Sequence, residues 1–267
     1  MHTAANDWSL TLKNLFFPIF CKQCGVRLLT EDNGYFCPNC WESSPKIERP
    51  FCPVCGRPHP AGVGLNATGN FRCGPCSVSE KPYPYRRVLG AARYDGAVKL
   101  AIKLMKFYDK PRLARPLGEL LRDQAARELD VDAYTHVIPV PLHRVRRRER
   151  GFNQAELLAE AVLQLFPRAQ LDHSLIRVRP THVQSRLHAE SDRHASVRGA
   201  FTAIHVDHLH GASVLLVDDV VTTGATVGEC ANALLQCGVA SVDVLAVALA
   251  LPHEDRFEEA VDLVQWS

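Results

Sequence analysis

Residues 214–227 read VLLVDDVVTTGATV. Four apolar residues lead into two adjacent carboxylates, Asp218 and Asp219, and a turn rich in threonine follows. The short apolar run predicts a buried strand over 214–217 that ends at the acidic pair. A helical pattern begins directly after the turn. A turn from strand into helix exposes unpaired backbone N–H groups, and the helix dipole adds partial positive charge there. That suits a phosphate. Thr222, Thr223 and Thr226 can add hydroxyl donors, and Gly224 lets the backbone come close. Two carboxylates beside a phosphate make sense when they face vicinal hydroxyls, whose hydrogens they accept. A ribose 5-phosphate satisfies both halves of the stretch.

The flanks support the same reading. Residues 225–237 have helical spacing with Gly238 as a stop, and 241–249 form a second apolar strand. Upstream, 96–105, 113–129 and 154–165 read as helices, and 136–142 and 175–178 as short strands. Strands alternating with helices predict a parallel sheet covered on both faces.

The first part of the chain is of another kind. Eight of the ten cysteines fall in four C-x-x-C pairs: Cys21/Cys24, Cys37/Cys40, Cys52/Cys55 and Cys73/Cys76. Zinc takes four thiolates in a tetrahedron, and each such turn supplies two. Twelve residues separate Cys24 from Cys37 and seventeen separate Cys55 from Cys73. Both gaps suit a hairpin that returns the second pair to the first. Sequential pairing into two zinc ribbons is expected; an interleaved arrangement is also compatible with the spacing. The two halves resemble each other, which reads as an internal duplication. Gly25 and Gly56 follow the second cysteine of each leading pair, where a positive φ is useful. Four thiolates leave no open position, so two structural Zn²⁺ ions are expected. Paired thiols of this kind point to a reduced, cytoplasmic setting rather than a secreted disulfide framework. Cys230 and Cys237 read as small buried residues on a core helix. Composition changes near residue 80, giving a cysteine-rich unit over 15–78, a linker over 77–85 and an α/β unit over 85–252.

The 267 residues are 46% hydrophobic and carry a formal net charge of +2. A sizeable core can be buried, and overall charge announces neither nucleic acid nor membrane. No run approaches the ~18 apolar residues of a spanning helix, and no secretory signal is read at the start.

Residues 138–159, IPVPLHRVRRRERGFNQAELLA, hold five arginines in a predicted loop: Arg144, Arg146, Arg147, Arg148 and Arg150. Guanidinium groups match phosphate oxygens in a bidentate way. Residues 179–201 are rich in Arg, His and Ser and poor in apolar residues, as a mobile segment should be.

The stretch at 214–227 closely resembles the signature of the type I phosphoribosyltransferases. That resemblance implies that Asp218 and Asp219 hold the ribose hydroxyls of phosphoribosyl pyrophosphate (PRPP). The 5-phosphate would lie on Thr222, Thr223, Gly224, Ala225 and Thr226. The arginine stretch would hold pyrophosphate with Mg²⁺. The cysteine pairs, YDGAVKLAIKLMKFYDK, RGFNQ, RPTHVQSRL and VRGAF together resemble the ComF family of competence proteins. Membership implies a double zinc ribbon ahead of a phosphoribosyltransferase domain, and a role in handling single-stranded DNA with competence-machinery proteins. Enzymes that salvage 6-oxopurines place an aspartate where Thr222 stands, so the resemblance does not point to hypoxanthine or guanine as the acceptor, which stays open. Two functions of different classes follow. One is Mg²⁺-dependent displacement of pyrophosphate from PRPP. The other is a DNA-handling module that uses PRPP or a nucleotide only as a regulatory ligand.

Overall fold

The computed structural model describes residues 18–28, 34–59, 71–79, 82–179 and 197–251. In the cysteine-rich part, β1 (Ile19–Phe20) and β2 (Arg27–Leu28) pair antiparallel. Two short helices, α1 (Pro38–Glu42) and α2 (Gly74–Val78), each start on a cysteine that stands at the N-cap, Cys37 and Cys73. The leading pairs also match each other. Cys21 N–H donates to the Val26 carbonyl and Gly25 N–H to the Cys21 carbonyl; Cys52 N–H donates to Arg57 and Gly56 N–H to Cys52. Gly25 and Gly56 adopt φ of 74° and 70°. The duplication read in the sequence is therefore a repeated knuckle followed by a repeated helix.

The rest is built on a sheet. Its strands are β3 (Arg87–Arg93), β4 (His136–Pro139), β5 (Gln170–Leu171), β8 (Ser213–Val221) and β9 (Ser241–Leu249). They lie in the order β3-β9-β8-β4-β5, all parallel. A separate antiparallel pair is formed by β6 (Leu175–Arg177) and β7 (Phe201–Ala203). The helices are α3 (Gly96–Phe107), α4 (Ala114–Glu128), α5 (Arg144–Arg150), α6 (Gln154–Leu163) and α7 (Ala225–Gln236). From β3 to β4 and from β4 to β5 the chain moves one way across the sheet; from β8 to β9 it moves the other. Right-handed crossovers then place α3, α4 and α6 on one face and α7 on the opposite face. β8 and β9 are buried almost throughout, as expected of central strands covered on both sides.

Several differences from the sequence reading follow. β8 runs four residues past Val217, so Asp218 and Asp219 lie inside the strand and not at its end. β4 stops at Pro139, and residues 175–177 pair with β7 outside the main sheet. β3 is a strand the sequence does not announce. Its centre is Gly90, which is needed because a Cβ there would stand 2.4 Å from Leu249 Cγ. The arginine stretch is a helix, α5, not a loop. Arginine is a good helix former. The His143 side chain caps the N-terminus, and Gly151 closes the C-terminus in the left-handed conformation.

The edge of the sheet is covered by the cysteine-rich part. Arg93 N–H donates to the Pro45 carbonyl, Ile47 N–H to Ala91, and Val88 N–H to Val54. An exposed edge strand would be a template for aggregation, and these bonds close it. At the end of the segment 77–85, Tyr85 is buried and the adjacent Arg86 forks onto Asp243 with two bonds of 2.9 Å. The fully buried Asp243 of β9 also takes the Tyr134 hydroxyl at 2.6 Å and Arg87 at 3.3 Å.

Candidate functional site

The sheet topology selects the site. The chain leaves β4 toward β5 but leaves β8 toward β9, so connections diverge between β4 and β8. In a parallel sheet, the crevice beyond the carboxyl ends at such a point is where ligands bind. β8 outruns β4 there. Its pairing with β4 ends at Val217, and Asp218 to Val221 continue beside β9 alone.

Asp218 and Asp219 occupy that overhang and both are buried. Asp218 accepts from Asp219 N–H at 2.8 Å, and Asp219 Oδ1 accepts from Val220 N–H at 2.8 Å. Burial, together with the neighbouring Asp219 charge, pushes the Asp218 carboxyl well above the usual carboxylate range; Lys106 works in the other direction. Asp219 Oδ2 accepts no hydrogen bond among the described residues but has the Lys106 ammonium 2.6 Å away. Lys106 comes from the last turn of α3. By spacing alone Lys99, Lys103 and Lys106 share one outward face; the structure turns Lys106 inward to the acidic pair. Arg177 at the end of β6 is a second cation, one the sequence does not single out. It sits 5.2 Å over the Phe201 ring, and the Asp218 charge reaches it.

After β8, Thr222 is exposed, Thr223 and Thr226 are half-buried, and Ala225 is buried at the start of α7. Gly224 stands at the N-cap with φ 78°, a conformation that side chains resist. Thr223 Oγ1 accepts from Ala225 N–H at 3.4 Å. Asp218, Thr222, Gly224 and Thr226 line one cleft.

The arginines divide by helix geometry. Residues 146 and 150 share one face of α5, 144 and 148 the opposite one. Arg150 is half-buried and bonds Gln154; burial lowers its pKa while the Asp219 charge acts against that. Arg146 pairs with Glu149 at 3.2 Å and Arg147 with Glu156 at 3.0 Å. Arg144 and Arg148 are exposed and make no ion pair among the described residues. RGFNQ now has a local explanation. Buried Asn153 caps α6 by accepting from Ala155 N–H at 3.1 Å, and its amide donates to the Val140 carbonyl at 3.1 Å. That ties α5 and α6 to the end of β4. Residues 180–196, most of the segment expected to be mobile, lie outside the described residues.

The cysteines form two sequential clusters, Cys21, Cys24, Cys37 and Cys40, and Cys52, Cys55, Cys73 and Cys76. Within each, the sulfurs lie within 4.8 Å of one another. A zinc tetrahedron with bonds of about 2.3 Å sets its sulfurs about 3.8 Å apart. Cys24 and Cys37 sulfurs are 3.7 Å apart, and Cys55 and Cys73 3.5 Å, so both sets fit the ion. Burial raises the Cys21 thiol, but backbone N–H groups of Cys37, Cys24 and Gln23 outweigh it and bring it down to about 6. Cys52 comes down to about 7 against the same burial, through donors of Cys55, Cys73 and Val54. Backbone donors thus favour the thiolate form at Cys21 and Cys52. Cys230 is fully buried as expected; Cys237 is only half-buried and donates to the Ala233 carbonyl at 3.3 Å.

Residues 12–77 match the double zinc ribbon domain family. The DNA utilization protein YhgH of Salmonella typhimurium is 33% identical over 75% of this chain and 85% of its own length. Competence protein F of Haemophilus influenzae is 30% identical over 88% and 99%. Competence protein ComFC of Bacillus subtilis is 26% identical over 77% and 80%. Among solved structures, a glutamine PRPP amidotransferase of B. subtilis aligns with 17% identity and a TM-score of 0.36, over 54% of this chain and 30% of that one. That likeness is too loose to bear on function. Fold and clusters together define a double zinc ribbon followed by an α/β domain built on a five-stranded parallel sheet. The chain belongs to the ComF family, with competence protein F and YhgH among its relatives.

Proposed function

We propose that the chain binds PRPP with Mg²⁺ in the crevice beyond β8, and that it works in the handling of single-stranded DNA during uptake. One observation carries the ligand reading: two buried, adjacent carboxylates, one paired with Lys106, overhang the sheet beside a hydroxyl-bearing turn at a helix N-terminus. Asp218 and Asp219 accept the ribose 2- and 3-hydroxyls. Residues 222–226 hold the 5-phosphate with backbone N–H groups and threonine hydroxyls. Arg150, which the Asp219 charge reaches, and Arg146 on the same face of α5 take pyrophosphate oxygens. Mg²⁺ bound with the ligand supplies charge neutralisation on the pyrophosphate. Lys106 keeps the acidic pair compensated.

The DNA part rests on the relatives, which carry the names competence protein and DNA utilization protein. The cysteine-rich unit over 15–78 and the α/β unit over 85–252 act together, with exposed Arg144 and Arg148 available to a nucleic-acid backbone. Catalysis is a distinct claim: an acceptor nucleophile displaces pyrophosphate from C1 of PRPP, with the transition state stabilised by positioning and charge. Incubating the protein with PRPP, Mg²⁺ and a panel of nucleobases, amines and single-stranded oligonucleotides, and measuring pyrophosphate, separates the two readings. Acceptor-dependent release makes it a transferase. Binding without release with every acceptor makes PRPP a regulatory ligand of a DNA-handling module. Absence of PRPP binding at millimolar concentration ends the ligand reading.

A further inference from the structure

The two cysteine clusters hold different places in the fold. Around the first, Cys21, Leu28, Phe36, Cys37 and Ile47 belong to the same apolar cluster as the sheet. The second has a core of its own, made of Cys52, Val54, Cys73 and Cys76 with Cys55 against it. Among the described residues, almost all of that core is ligand sulfur. A core built so largely of ligands depends on its metal for its shape.

That second unit stands against the turn after β8. Cys55, Cys73, Cys76 and Tyr85 share a cleft of about 100 Å³ with Thr222 and Gly224. The approach is close. A Cβ on Gly224 would stand 3.0 Å from the Tyr85 hydroxyl. Tyr85 is buried, its ring stacks on Tyr83 with centroids 5.5 Å apart, and Cys76 Sγ lies 3.7 Å from the Tyr83 hydroxyl. On the far side, the second knuckle is seated on β3: Val88 N–H donates to Val54, and a Cβ on Gly56 would meet the Val88 carbonyl at 2.5 Å. A continuous path thus runs from the second set of sulfurs through Tyr83 and Tyr85 to the turn. The first cluster has no part in this cleft.

We propose that the second ribbon is a wall of the ligand site: its metal-held cysteines press Tyr83 and Tyr85 against Gly224 and so fix the conformation of residues 221–227. Tyr85 is the positioning residue. The step from turn order to ligand affinity rests on the reading of this turn as a phosphate cradle; the step from ribbon to turn order does not. The two ribbons are therefore unequal, the first closing the sheet edge, the second shaping the site.

Hydrogen exchange of the ligand-free, zinc-loaded full chain tests this, read on peptides covering residues 221–227. Cys73→Ser with Cys76→Ser should lose the second zinc and speed exchange of the turn by about tenfold or more; Cys21→Ser with Cys24→Ser should lose the first zinc and leave the turn within about twofold. Tyr85→Ala should speed the turn with both zincs retained, and Tyr85→Phe should keep most of the protection, because the ring stays in place. Equal effects of the two cysteine variants, or an unchanged turn in both the second-ribbon and Tyr85→Ala proteins, would overturn the proposal. If Tyr85→Ala does not fold, the contrast between the two cysteine variants decides alone. A PRPP titration of the same proteins keeps the questions apart. A loosened turn with wild-type protein that binds no PRPP would sink the phosphate reading and leave the wall intact.

Discussion

Lys106 and Asp219 meet at 2.6 Å across the mouth of the β4–β8 crevice, the lysine from the last turn of α3 and the aspartate from the overhang of β8. The Lys106 side chain is 21% exposed and that of Asp219 only 3%, so the pair is mostly withdrawn from water. Removing one partner of such a pair leaves an uncompensated charge. With the lysine partly hydrated, Lys106→Met should cost about 2 kcal/mol, or roughly 4–8 °C in Tm. Thermal unfolding measures it.

Asp218 makes the opposite case. A carboxyl whose folded pKa is raised favours the folded state while protonated. That contribution is present below the unfolded value of about 3.9 and is lost as pH rises through the raised folded value. At neutral pH the ligand-free protein carries the cost of a carboxyl that ionises less readily when folded than when unfolded. Asp218→Asn removes it, so Tm at pH 7.5 should rise by about 2–4 °C for each kcal/mol relieved, and the gap to wild type should narrow as pH falls. A variant less stable than wild type at pH 7.5 would contradict this.

Metal analysis should return two zinc ions per chain, one for each cysteine cluster. Cys21→Ser with Cys24→Ser should remove half of the zinc. One ion or none in the wild type would contradict the two-ribbon arrangement.

The helical form of residues 144–150 changes which arginines a DNA strand can meet. The Asp219 charge reaches Arg150, and Arg146 shares its face of α5; Arg144 and Arg148 lie on the opposite face. Arg144→Ala with Arg148→Ala should weaken single-stranded oligonucleotide binding and flatten its log–log salt dependence by about 0.7 for each phosphate no longer neutralised. Arg146→Ala with Arg150→Ala should act mainly on PRPP. Titrations of a labelled oligonucleotide at several salt concentrations measure the slopes; the same slope in the Arg144/Arg148 variant and the wild type would remove that face from DNA binding.

Much of this arrangement is legible from the residues. The β8–α7–β9 unit is, because seven apolar positions among the nine of β9 and the Gly224 and Gly238 boundaries of α7 leave little choice. Spacing favours sequential cysteine clusters, and the structure resolves the open alternative. What escapes depends on packing between residues distant in sequence. β3 contains Gly90 and two alanines and has weak strand propensity, yet Leu249 requires the glycine and β9 supplies the pairing. Lys106 lies at a spacing that reads as part of a solvated lysine face; only the approach of α3 to β8 turns it inward. Arg177 looks like one arginine among many, although a lone basic residue ending a short strand of Leu and Ile is a usable signal. The arginine run reads as a loop when charge dominates the reading, while the flanking His143 and Gly151 are ordinary helix boundaries.

The central claim is that Asp218 and Asp219 hold a phosphoribosyl ligand. Calorimetric titration of PRPP with Mg²⁺ into wild-type protein and into Asp218→Asn with Asp219→Asn tests it most directly. Two charge-assisted hydrogen bonds at about 1.5–3 kcal/mol each are blunted in the variant, so affinity should fall by several kcal/mol while zinc content stays at two ions. Unchanged PRPP affinity in the folded, zinc-loaded double variant would contradict the account.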